Sequence, residues 1–345
     1  MGDIIRIGLD TSKHFFQVHG VDADEHVVVC RKLNRRQMEG FFAKLGPVEV
    51  GLEACGSSHH WGRWLESLGH TVRMMPAQLV KPYVKRNKND AADAAGLCEA
   101  MSRPTMRFVP VKTKAQQADL MLMTHRERLI TERTRLSNTI RSHATEFGHC
   151  VARGLAHLEG LLATLQADTD LPEMAATLFE RMSRDYHRLC QEIAELEAEL
   201  VVWHKHNECS RRLERIPGVG PVCSALLVMK VTDVAAFKSG RDFAAWLGLT
   251  PKDHSTGGKL RLGGITRAGD EILRCKLVAG ATAVIQHTRR RGKGSAWLIN
   301  LLKRKPPKLA AVALANKTAR IAWKLMKTGE TYTDKPAQSQ TLCAA

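Results

Sequence analysis

Hydrophobic and polar positions along the first hundred residues fall into short strand-length runs separated by turn residues. "IIRIGLD" (4–10), "FFQVHGV" (15–21) and "HVVVCRKL" (26–33) predict three strands. "RQMEGFFAKLG" (36–46) has helical spacing and stops on a glycine, and "VEVGLEA" (48–54) predicts a fourth strand. "SSHHWGRWLESLG" (57–69) opens on a serine pair and predicts a helix. "HTVRMM" (70–75) is a fifth strand, followed by a helix around "KNDAADA" (88–94). Strands followed by strand–helix alternation predict a mixed sheet covered by helices, an α/β unit over residues 1–112.

The period then changes. From Lys114 to Phe147 there is no Pro or Gly, and Leu122, Leu129 and Leu136 recur every seven residues. Farther on, Met182, Tyr186, Leu189, Ile193, Leu196, Leu200 and Trp203 alternate spacings of four and three, with Glu192, Glu195, Glu197 and Glu199 between them. Such an a/d seam suits a coiled coil between chains, and equally an antiparallel hairpin packed within one chain. "ARGLAHLEGLLATLQADTDLP" (152–172) joins the two helices. An all-α segment is therefore expected over 113–207, a mainly helical third segment over 208–328, and a polar tail over 329–345.

Charge alters this picture. Lys and Arg number 52 against 35 Asp and Glu, a net +17, which favours a polyanionic partner, most simply nucleic acid. The cysteine count of nine is odd and contains no CxxC, so neither a disulfide framework nor a zinc knuckle is expected, and a reducing cytoplasm fits. No signal peptide and no membrane-length apolar run is found, so no membrane association is expected.

Within the basic stretch containing Lys85, Arg86 and Lys88, Asp90 and Asp93 share one helical face. Asp10 ends the first strand and Glu53 the fourth, and strand-end carboxylates project toward one rim. Taken singly, Asp10 could cap a turn, Glu53 could stand at the start of a helix, and Asp90 could be an N-cap. Together, four converging carboxylates require cations. Two Mg²⁺ ions are the expected cofactor, because Mg²⁺ takes hard oxygen ligands and suits phosphoryl transfer.

"GLDTSK", "LEACGSSHHW", "KNDAADA" and "GLTPKDHSTGGKLRLGGITRAGD" together resemble the DEDD transposases of insertion sequences, the Piv/MooV-type family, over residues 4 to 328. The resemblance implies a RuvC-like RNase H fold at the N-terminus, a coiled-coil insertion and a C-terminal transposase domain. It places the four family acids on Asp10, Glu53, Asp90 and Asp93. It also implies a recombinase guided by a structured bridge RNA, acting as a homo-oligomer, dimer or tetramer, with a composite active site.

In "DHSTGGK" (253–259) Ser255 and Thr256 precede two glycines, with Lys252, Lys259, Arg261 and Arg267 nearby. A loop or a non-covalent phosphate cradle accounts for the motif on its own. The resemblance implies a serine nucleophile here, best matched by Ser255, with Thr256 the rival. "IPGVGPVCSALL" (216–227) resembles a helix-hairpin-helix turn in which Gly218 and Gly220 present backbone N–H groups to a DNA phosphate, or else a glycine turn between packed helices. Arg289, Arg290 and Arg291, together with Arg133, Arg135 and Arg141, are further candidates for nucleic-acid strands, including RNA. The expected function is a site-specific DNA recombinase of an insertion sequence, cutting and rejoining DNA through a phosphoserine. The alternatives are a RuvC-like metal-dependent nuclease of the Holliday-junction resolvase type, which needs the acids but not Ser255, and a non-catalytic nucleic-acid-binding protein.

Overall fold

The computed structural model describes residues 3–84, 89–292 and 294–333. The chain forms two compact units, Met1–Gln117 and Ala118–Ala345. In the first, the strands β1 (Arg6–Thr11), β2 (Phe15–Val21) and β3 (Val27–Asn34) lead into helix α1 (Arg35–Phe42). Then follow β4 (Glu49–Glu53), α2 (Ser58–Ser67), β5 (Thr71–Met75), the short α3 (Ala77–Val80) and α4 (Asp90–Met101). The sheet order is β3-β2-β1-β4-β5. β1, β2 and β3 pair antiparallel, whereas β4 and β5 run parallel to β1.

Strand alternation decides what each face carries. Ile7, Leu9, Val50 and Leu52 turn to the face covered by Met38 and Phe42 of α1 and Trp61 and Leu65 of α2, and all are buried there. Gly8 and Gly51, directly paired across β1 and β4, turn to the other face. There α4 lies so close that a Cβ on Gly8 would sit 2.0 Å from the Ala94 carbonyl oxygen and 2.7 Å from the Cys98 nitrogen. A Cβ on Gly51 would meet Met75 and Met101 at 3.1 and 3.2 Å. Asp10 and Glu53 are two residues beyond these glycines and therefore on the same face.

Local chemistry sets the helix starts. Asn34 and Gln37 form a reciprocal capping box on α1. On α4 the cap is Asn89, whose Oδ1 accepts from Ala92 N–H at 2.8 Å. Asp90 is thus the first residue inside the helix rather than its cap. His59 Nδ1 accepts from the Lys112 N–H at 3.1 Å and ties the segment after α4 to α2. Burial, with Lys112 and Arg63 beside it, pushes the His59 imidazole down to about 4, so it is neutral at physiological pH.

The second unit holds α5 (Lys114–Glu146), which begins at the end of the first, then α6 (Leu158–Ala167) and α7 (Glu173–His206). Leu129 clusters with Leu189 and Ile193, and Ile140 and Ala144 with Phe179 and Tyr186. Arg126 pairs with Glu197. Positions advancing along α5 meet positions receding along α7, so the heptad seam is buried inside an antiparallel hairpin of one chain. The joining segment is not a plain linker: Leu158, Leu161, Leu162 and Leu165 of α6 pack into the hairpin's open end.

The remaining elements are α8 (Glu208–Glu214), α9 (Pro221–Lys230), α10 (Gly240–Trp246), β6 (Pro251–Asp253), β7 (Leu262–Ile265), α11 (Glu271–Arg291), α12 (Ala296–Arg304) and α13 (Pro307–Thr328). Buried Ala310, Ala311, Ala315, Ala319 and Ala322 let α13 sink into the helical core. His204 fastens α7 to its successors: Nδ1 meets Ser210 Oγ at 2.7 Å and Ser224 Oγ at 3.3 Å, while Nε2 meets Glu214 Oε2 at 2.9 Å. The β6–β7 ribbon, read from sequence only as a loop, is an antiparallel hairpin. Its reversal at Gly257 (φ +55°) and Gly258 (φ +76°), inside the Thr256–Lys259 bridge, needs two positive-φ residues.

Gly8→Ala is expected to push α4 off β1, lowering amide-exchange protection in both elements by about 1–3 kcal/mol. Gly40→Ala, on the exposed side of α1 where an added Cβ meets nothing within 4 Å, is expected to stabilise by about 0.5–1 kcal/mol. Equal behaviour of the two variants would remove the close-approach account.

Candidate functional site

The parallel register ends at Leu9↔Leu52, and the next residues, Asp10 and Glu53, lie on the face that α4 covers. Glu53 ends β4, whereas Asp10 is the penultimate residue of β1, which runs on to Thr11 rather than ending at Asp10. The first turn of α4 supplies Asp90 and Asp93 at the same rim. Asp10 is half-buried, and its carboxyl is pushed above the usual range, first by burial and then by the charges of Asp93, Asp90 and Glu53. Three acids from as far as 83 positions away (93 − 10) therefore act on Asp10.

Their pairing differs. Asp90 is exposed, and its Oδ2 accepts from Lys32 Nζ at 3.3 Å, with the same ammonium 5.0 Å from the Phe15 ring centre. Lys32 was not among the sequence candidates, and no local spacing could nominate a residue 58 positions from its partner. Asp10 takes a backbone hydrogen bond from Thr11. The carboxylates of Glu53 and Asp93 have no hydrogen bond or ion pair with another described residue. Among the described residues no three His, Cys, Asp or Glu side chains close to metal-binding spacing. Mutual repulsion keeps like charges apart, while the donor chemistry, hard oxygens with Asp10 raised by its neighbours, fits a divalent cation. Beside them, Thr11 Oγ1 and Cys55 Sγ stand 3.9 Å apart across the ends of β1 and β4.

Ser255 belongs to the second unit, on the exposed β6–β7 ribbon. Its N–H donates to Asp253 Oδ1 at 2.8 Å, and its Oγ accepts from the Arg261 N–H at 3.0 Å. Hydrogen bonds from the Ser255 side chain and backbone hold the Asp253 carboxyl below the usual range. Thr256 instead bridges Lys259 through its backbone at the turn.

The cationic candidates divide. Lys259, Arg261 and Arg267 are exposed around the ribbon, and Arg289, Arg290 and Arg291 are exposed in the last turn of α11, where the helix dipole also favours cations. Arg135 is exposed, whereas Arg141 is committed to the protein, donating to Gly154 O at 2.6 Å. Lys85, Arg86 and Lys88 lie outside the described residues. Gly218 has a packing explanation: at φ +83°, a Cβ there would lie 2.7 Å from Gly280 O, so two glycines carry the turn against α11. Gly220 is exposed at the N-terminus of α9, with nothing within 4 Å of an added Cβ.

Comparison with known proteins gives a consistent picture. Residues 7–148 match the family DEDD_Tnp_IS110, described as a transposase, and residues 210–294 match the "Transposase IS116/IS110/IS902 family". The chain is 59% identical over 340 residues to a putative transposase, y4pF/y4sB, of Sinorhizobium fredii, covering 98% of this chain and 88% of the relative. It is 38% identical over 340 residues to the transposase for insertion sequence element IS1111A of Coxiella burnetii, covering 96% and 92%. It is 37% identical over 333 residues to the transposase for insertion sequence element IS1328 of Yersinia enterocolitica, covering 96% and 99%.

A raised carboxyl in the folded state means that Asp10 holds its proton more tightly folded than unfolded. Its stabilising contribution is full below the ordinary aspartate range and is lost as pH rises through the raised value. Asp10→Asn is therefore expected to melt higher than wild type at pH 7 without divalent cation, with the difference vanishing near pH 3. Added Mg²⁺ should raise the melting temperature of the wild type and raise that of Asp10→Asn less. Equal Mg²⁺ shifts in both would separate Asp10 from metal binding.

Proposed function

Because the chain belongs to the IS110 family of DEDD transposases of insertion sequences, we propose that it is a site-specific DNA recombinase working through Asp10, Glu53, Asp90, Asp93 and Ser255. The observation that carries this reading is the grouping of four acids around a half-buried Asp10 at one rim of the sheet. The sheet order β3-β2-β1-β4-β5 with α4 laid on β1 supports an RNase H-like, RuvC-like assignment for the first unit.

Divalent cations held by these acids, two Mg²⁺ in this reading, would stabilise the entering and leaving oxygens of a phosphoryl displacement. The protein's own groups do the rest. Ser255 Oγ forms the bond to phosphorus as its proton passes to solvent water, the phosphorus–oxygen bond to the deoxyribose breaks, and the departing oxygen takes a proton from water to leave as a hydroxyl. The resulting phosphoserine stores the phosphodiester energy for rejoining. Lys252, Lys259, Arg261 and Arg267 surround the reacting phosphate with positive charge, and Arg261 N–H already holds Oγ. Gly220, Arg289, Arg290 and Arg291 contact the DNA backbone, which positions the duplex without reading its sequence.

Sequence choice in this reading is delegated to a structured bridge RNA, for which the excess of Lys and Arg provides the charge. The active species is a dimer or tetramer in which another protomer donates the serine. Its interface lies outside the 182–203 seam, whose Leu189 and Ile193 are already buried within the chain.

Incubation with the element's DNA and RNA is expected to give a denaturation-resistant protein–DNA adduct. Ser255→Ala should lower its yield at least about 1,000-fold, while Thr256→Ala should leave most of it. An adduct lost only with Thr256→Ala would move the nucleophile by one residue. Cleavage without any adduct would favour the RuvC-like nuclease. The protein purified from cells carrying the whole element should also bring down one discrete RNA transcribed beside the gene. Recovery of random cellular fragments alone, with recombination resistant to ribonuclease, would defeat the guided reading.

A further inference from the structure

The β6–β7 ribbon carries a feature that the serine chemistry does not use. Every residue from Pro251 to Gly264 is exposed. Leu260 is 79% exposed, more than any other large apolar side chain described, and Leu262 is 53% exposed. Leu260 is flanked by Lys259 and Arg261 and stands across the ribbon from Ser255. Lys259 bridges Thr256, and Arg261 reaches Ser255 Oγ through its N–H and His254 N–H through its carbonyl at 2.9 Å. Over residues 251–267 there are four cations, Lys252, Lys259, Arg261 and Arg267, against a single acid, Asp253.

An apolar side chain held in water between two cations, on a narrow two-stranded ribbon, suits one kind of partner. The cations fit phosphates on either side of a groove, and a ribbon of this width enters a duplex groove. The leucine then finds its apolar surroundings between stacked bases, as wedge side chains do when they kink DNA. A second copy of this chain fits worse, because a self-complementary contact would bring the four cations against their own copies.

We propose that the β6–β7 ribbon docks on duplex DNA and that Leu260 inserts between two stacked base pairs, unstacking them beside the phosphate presented to Ser255. The inference rests on the recombinase reading for the identity of the DNA, yet it concerns a physical distortion that precedes bond breaking. The wedge fixes the register of the duplex along the ribbon. Lys259 and Arg261 hold the flanking phosphates, and Ser255 is left facing the backbone of the opened step.

The test uses the full-length protein, with its RNA where one copurifies, and a duplex of the element's end carrying 2-aminopurine at successive steps. Wild type is expected to raise the emission at one step by about threefold or more, as unstacking does. At saturating protein Leu260→Ala should lose most of that rise while its duplex affinity stays within about threefold. Leu260→Met should keep it. Ser255→Ala should keep the full rise, which separates this inference from the covalent one: in wild type, a rise without any adduct would sustain the wedge and sink the nucleophile. A rise that survives in Leu260→Ala, saturated wild-type binding with no rise, or failure of wild type to bind the duplex would each overturn the wedge. So would a fall in mass by light scattering for Leu260→Ala, which would make the ribbon a contact between copies.

Discussion

The contact on which the site depends is the direct seating of α4 on β1. With hydrogen at Gly8 in place of a side chain, the helix backbone around Ala94 and Cys98 rests on the strand backbone. That approach brings the first turn of α4 to the strand ends, because Asp93 immediately precedes Ala94. A methyl group at Gly8 would lift the helix, and with it one half of the acidic cluster. The face holding Asp10 and Glu53 is thereby closed over its glycines, with the two carboxylates beyond them. Burial and charge meet at Asp10, which is desolvated by the same packing that supplies its neighbours.

Much of this arrangement was legible before any coordinates. The five strands and the helices among them follow from alternation and from stop residues such as Gly46 and Gly69. The acids at strand ends follow from position in those elements. Other features depend on contacts that sequence spacing does not encode. The heptad seam of α7 has the same pattern whether Leu189 meets Leu129 of its own chain or a leucine of another, since both bury the same apolar surface. Lys32 sits on an antiparallel edge strand, in the cross-strand row Asp10–Gln17–Lys32, and so on the face from which it reaches Asp90 of α4. The ribbon carrying Ser255 was hidden because β6 and β7 are three and four residues long and fully or mostly exposed, leaving no hydrophobic alternation to read.

Two serine environments in the second unit mark the difference between composition and chemistry. Ser210, His204 and Glu214 form a hydrogen-bonded chain with the ingredients of a hydrolytic triad, and Ser224 joins it. Yet Ser210 and Ser224 are wholly buried at the junction of α7, α8 and α9, so no substrate atom reaches them. The network satisfies polar groups that packing has removed from water, and it fastens three helices together. Ser255 has the opposite character: it is exposed, two residues before the Gly257–Gly258 reversal, with Lys259 and Arg261 nearby. Accessibility to a polyanion, rather than the presence of a histidine, distinguishes the two.

The hairpin of α5 and α7 has a dimension as well as a core. At about 1.5 Å of rise per residue, the 33 residues of α5 extend roughly 50 Å. A duplex advances about 3.4 Å per base pair, so one such helix is as long as about fifteen base pairs of duplex. Because its seam is sealed along the pair by Leu129, Leu189 and Ile193 and at the far end by α6, this length is held stiffly. The hairpin is a rod whose length is set by its residue count. Inserting or deleting whole heptads on both helices together would change that length while keeping the seam in phase.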